Sequence, residues 1–156
     1  MSIFSAIFLR KPRYQVSAYR DLYTAIVSRL TRPGVYVGGT ANYPRVEVHS
    51  FREQERLDKE GAIRQVAFTV ESMSNTSLAE AVTMNEDNLQ LLSQADLEIT
   101  GWRPLAVLPV QLQDLTETTD SKKIIYRILQ ECSVYLEKIK TDEPDEDEEE
   151  IDNGNT

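Results

Sequence analysis

Few side chains in this sequence could act as a base, a nucleophile or a metal ligand. There is one histidine, His49, and one cysteine, Cys132. Glu47 and His49 alternate along one apolar-polar run, and Glu71 lies in the next. An imidazole among carboxylates is the minimum set for general acid–base work, so an enzymatic reading would rest on His49, Glu47 and Glu71. Against it, nothing in the sequence clusters the further partners that a metal site or a Ser–His pair needs. A lone histidine on the polar side of a strand is far more often a solvated residue than a base. A single cysteine leaves no internal disulfide and no Cys-based zinc site; a buried, inert thiol is the expectation for Cys132. No phosphate-binding glycine loop is present, and one histidine excludes paired-histidine metal motifs. No catalytic, cofactor-binding or metal-binding residue is therefore assigned.

Charge is unevenly placed. The formal net charge is −9, with 26 acids against 17 bases. Residues 142–152 hold nine of those acids without a base, which leaves 17 and a formally neutral body. Such a run repels itself and is expected to be disordered. It is either a solubilising tail or one that meets a basic partner. Residues 10–32 carry six bases and one acid, a surplus that suits phosphate contact or contact between subunits. No apolar run approaches the ~20 residues of a membrane span, and the basic residues after IFSAIFL stand in the wrong order for a secretory leader. The expected organisation is an extension over 1–18, one domain over 19–140 and an acidic tail over 141–156. The extension is either an arm that docks on a neighbour or a loosely packed part of the same domain.

The elements follow from periodicity. Ile63–Met73 alternates, with Val66, Phe68 and Val70 on one face and Gln65, Ala67, Thr69 and Glu71 on the other. Ser77-x-x-Glu80 is a capping box opening a helix over 77–95, with Leu78, Ala81, Val82, Leu89, Leu92 and Ala95 on its apolar stripe; Asn85–Asn88 is expected to loosen its middle. An earlier helix over 19–31 carries Leu22, Ile26 and Leu30 four apart and ends at Pro33-Gly34. A strand over 45–51 should pair antiparallel with 63–73 through a charged loop at 52–61. The run 105–115 sets Ala106, Leu108, Val110 and Leu112 against Val107, Pro109, Gln111 and Gln113. Pro109 makes it an edge strand or a bulged one. Trp102 is expected in the core near the helix end, and 116–123 reads as a polar loop. Residues 124–139 fit either a helix or a strand.

Three stretches carry a resemblance: Tyr43-Pro44-Arg45-Val46-Glu47-Val48, then ERLDKEGAIRQVAFTVESMSNTSLAEA, then LPVQLQDLTETTDSKKIIYRILQECSVYLEK. Their order over about residues 19–138 resembles the tail-completion, or tail-terminator, and neck proteins of tailed bacteriophages. The resemblance implies a strand at 124–137. It also implies an α+β fold, a mixed and mainly antiparallel sheet of about four strands with two helices packed on it. The implied function is structural. The subunit would join itself in a ring, usually a hexamer, that caps the tail tube and meets neighbouring tail-tube and neck or connector proteins. DNA would pass through without specific binding. No cofactor and no membrane is implied, and the ring would be made in the host cytoplasm and end in the virion. The hairpin tips are the expected contact points, which makes Arg52, Arg56, Lys59, Lys122 and Lys123 candidate interface residues. A regulatory adaptor with an acidic tail, or a small α+β enzyme, is the alternative.

Overall fold

The computed structural model describes residues 18–39, 41–55, 63–93 and 96–139. Residues 1–17 of the extension, Arg56 and Lys59 of the charged loop, and the acidic run of 142–152 lie outside the described residues. Helix α1 spans Ala18–Leu30, followed by strand β1, Tyr36–Val37, and strand β2, Arg45–Glu55. Strand β3 is Ile63–Ser74 and helix α2 is Leu78–Ser93. Strand β4 runs Trp102–Asp114, β5 is Glu117–Thr118, and β6 is Ile124–Lys138. The sheet order is β1-β2-β3-β6-β4, with β5 on the end of β6. Only β1–β2 is parallel. The fold is the expected α+β, with six strands instead of about four: β5 is too short to carry a period, and β1 falls within Val35–Val37, which the sequence offers as a short strand before the Gly38-Gly39 pair.

Both helices lie on one face of the sheet. Leu22, Ile26 and Leu30 of α1 and Leu92 of α2 meet Val46, Val48, Val66, Phe68, Val70, Cys132, Val134 and Leu136 in one buried cluster. Trp102 closes it at the start of β4, as expected. Phe51 stacks on Phe68 with ring centroids 5.6 Å apart, and Tyr19 of α1 covers Phe51 at 4.9 Å. Burial of such side chains is the main favourable term, about 1.5–3 kcal/mol each. Residues 124–138 are a strand, because the even positions 128 to 136 are all buried under the helices.

Four expectations need correction. The helix stripe includes Asn85 and Asn88 rather than Leu78 and Val82, which are exposed. The polar run does not loosen α2, because the Asn85 amide donates to Gln130 Oε1 at 3.3 Å and the Asn88 amide to Ser72 Oγ at 3.0 Å. The capping box is half formed. Glu80 N–H donates to Ser77 Oγ at 3.1 Å, but the Glu80 carboxylate accepts from Ser74 Oγ at 2.8 Å. Ser74 Oγ in turn accepts from the backbone N–H groups of Thr76 and Ser77. Finally, β2 does not end at residue 51. A register shift between His49 and Arg52, with Ser50 at φ 57°, carries it on to Glu55. One extra residue resets the alternation, so the charged residues after the bulge still pair.

Candidate functional site

The face of the sheet away from the helices carries a polar network. Register sets Glu47 opposite Glu71 and His49 opposite Thr69 across β2–β3. It sets Met73 opposite Arg127 and Thr69 opposite Glu131 across β3–β6. Two like charges side by side need counterions. Glu71, only 4% exposed, has them: its Oε1 accepts from Arg127 Nε at 2.6 Å and Nη2 at 2.5 Å, and its Oε2 meets His49 Nε2 at 2.7 Å. Glu47 has Arg45 at 3.8 Å, and Glu117 reaches Arg127 at 3.4 Å. Burial alone would lower the Arg127 pKa; its bonds to Glu71 and the charges of Glu71 and Glu117 outweigh that and raise it.

His49 is thus not merely solvated, as its place on a polar strand face suggested. Its Nδ1 also meets Ser50 Oγ at 2.7 Å. Hydroxyl, imidazole and carboxylate in that order are what an activated nucleophile requires. Here the carboxylate is already held by a guanidinium, and the serine stands exposed on a bulge. An open cleft of ≈ 1080 Å³ lies between α1 and residues 96–104, lined by Asp21, Arg29, Glu98 and Arg103 among others and by none of these three. Among the described residues no group of three or more His, Cys, Asp and Glu is placed to hold a metal ion, and no helix is long and apolar enough to cross a membrane. Cys132 is fully buried, and burial, with the charge of Glu131, pushes its thiol up to about 12.

The candidate interface cations are not brought together. Arg52 belongs to strand β2, not to a loop, and pairs with Glu131 of β6. Lys122 and Lys123 stand exposed in the turn beyond β5. There Thr119 N–H donates to the Lys123 carbonyl at 2.8 Å, Lys122 N–H donates to the Thr119 carbonyl at 2.8 Å, and Lys122 takes φ 60°.

A different surface went unread in the sequence. Among the described residues strand β4 has a sheet partner on one side only, and Leu105, Leu108, Val110, Leu112 and Leu115 along this stretch are all exposed. The run was read as an alternating strand that Pro109 makes an edge strand or a bulged one, and both its edge position and the shift at Pro109 bear that out; the exposure of its apolar side chains was not read. Register shifts between Pro104 and Val107 and between Pro109 and Gln111 break the alternation, and α2 lies chiefly over β3 and β6, where Asn88 meets Ser72 and Asn85 meets Gln130. Apolar composition was the available signal; its exposure depends on where the helices stop.

No family model matches the chain, and no curated protein does. Among solved structures, a chain described as "Virion of native gene transfer agent (GTA) particle" has the same fold, with a TM-score of 0.56 and 18% identity over 77% of this chain and 91% of that one. At that identity the likeness is one of fold.

Proposed function

We propose that the chain is a structural virion subunit, part of a tail-completion or neck ring joining head and tail in a phage-like particle. The observation that carries this reading is the fold shared with a virion chain over 91% of that chain's length. It accords with the resemblance to tail-terminator and neck proteins. The surface supports it too: exposed apolar side chains on an edge strand suit lasting contact with other proteins. The ring, a hexamer in this reading, meets tail-tube and neck or connector proteins, and DNA passes through it unread.

Purified protein imaged by negative-stain microscopy should give rings, and its sedimentation mass should be a multiple of 17.8 kDa. A monomer at every concentration would overturn the ring. Of the three described candidate cations, Lys122 and Lys123 stand exposed at a turn, whereas Arg52 pairs with Glu131. Lys122→Glu with Lys123→Glu is expected to leave the melting temperature within about 2 °C, because exposed charges contribute little to stability. The same variant should weaken docking to the adjoining tail or neck component, read by pull-down or by counting joined particles. Undiminished docking would remove these lysines from the contact.

A further inference from the structure

The apolar row on β4 has no cover within the described fold. Leu105, Leu108, Val110 and Leu112 are 53%, 48%, 60% and 54% exposed, and no charge occurs between Arg103 and Asp114. Scattered surface leucines are ordinary, but an uninterrupted row on an edge strand marks a place where something docks. Its occupant has to be apolar over a similar length.

The chain itself contains such a segment. Residues 3–9, IFSAIFL, include Ile3, Phe4, Ile7, Phe8 and Leu9, and lie outside the described residues. Extended, seven residues span roughly 23 Å, close to the roughly 26 Å of residues 105–112. The charges agree as well. Arg10, Lys11 and Arg13 follow the apolar residues, and no acid precedes Asp21. Past Leu112 the receiving flank has exposed carboxylates at Asp114 and Glu117. Bonds from the Thr116 hydroxyl and backbone N–H lower the Asp114 pKa, which keeps it ionised.

Position favours a donor in another copy. The extension enters the described fold at Ala18, where Tyr19 packs on Phe51 of β2. Strand β2 is toward one flank of the sheet and β4 is the opposite edge. A head-to-tail contact between copies sets those two flanks side by side, and such contacts are the kind that close rings. We infer that residues 3–9 of one copy lie along the exposed apolar row of β4 in the next copy, with Arg10, Lys11 and Arg13 toward Asp114. The head-to-tail orientation rests on the ring reading above; the contact itself does not.

The experiment uses full-length chains with one accessible thiol each, since Cys132 is buried. Ile7→Cys protein is mixed with Val110→Cys protein and treated with a short bis-maleimide. A product of twice the chain mass is expected from the mixture and not from either alone. In parallel, deletion of residues 2–9 and the double variant Leu108→Lys, Val110→Lys should each raise the concentration for half-assembly by about 30-fold or more, the scale of losing an interface anchor. Circular dichroism should match the parent. A chain carrying both Ile7→Cys and Val110→Cys is treated in the same way; if it links only within itself, the segment folds back on its own copy and exchange is overturned. If the deletion protein assembles like the parent, or if Ile7→Cys gives no product at all, the contact itself is overturned. Rings from both parent and deletion protein would sink this inference and leave the ring reading standing. A linked mixture from a parent that never forms rings would keep the contact and sink the ring.

Discussion

Glu71 shows what the sequence could and could not reveal at the scale of single residues. Pairing 45–51 with 63–73 already put Glu47 beside Glu71. The compensating Arg127 was not legible, because it comes from β6, whose strand character the residues alone left open. The carboxylate is almost fully buried while Arg127 keeps about a quarter of its surface in water. Removing the guanidinium should therefore leave a poorly solvated charge. Arg127→Met is expected to cost about 2 kcal/mol in urea unfolding, below the 3–5 kcal/mol of a fully buried pair. Adding Glu71→Leu should restore most of that loss. Equal losses in the single and double variants would mean that the pair is not coupled. Cys132 was read correctly as inert, since an apolar strand position facing helices admits little else. Its thiol, held near 12 by burial against an ordinary 9.0, should resist iodoacetamide at pH 8 until the chain unfolds. The sign for stability follows. Below pH 9 both states keep the proton; as pH rises from 9 towards 12 the unfolded thiol ionises and the folded one does not. Stability is lost across that window.

At the scale of elements, period and caps located both helices and three of the four long strands; the fourth, β6, fitted two periods and was taken as a strand only through the resemblance. The bulge at Ser50 ended the predicted strand too early and leaves no mark in composition. Pro109, by contrast, did mark β4 as an edge or bulged strand, and the sheet edge and the shift at Pro109 bear that out; the second shift, between Pro104 and Val107, was not read. The helix cap was half right for a related reason: Ser77 caps as predicted, but Glu80 turns to Ser74, the last residue of β3. Ser74 thereby ties strand to helix through three hydrogen bonds. Ser77→Ala should cost about 1 kcal/mol, the usual value for a cap. Ser74→Ala should cost about 1–2 kcal/mol, because it removes the acceptor of two backbone N–H groups and the donor to the half-buried Glu80 carboxylate at once. Denaturant titration of the two variants checks the order; a smaller loss at Ser74 would make it a spectator.

For the whole molecule, two helices cover a sheet that is wider than they are. The α+β class was readable because it needs only the sequence of periods. The width was not, since it depends on how far α2 reaches across the sheet. The uncovered edge has a feature with its own consequence. Pro104 and Pro109 both fall in β4, and neither has a backbone N–H to offer. A sticky strand with gaps in its donor row can accept side chains but makes a poor seed for endless stacking of its own kind. The two prolines thus guard against fibril growth, a hazard any chain runs when it displays leucines on an open edge. Pro109→Val should fold like the parent yet shorten the lag before thioflavin-positive aggregates form at 37 °C. An unchanged lag would mean that the proline is there for the shape of the bulge alone, and that something else keeps separate copies of the chain apart.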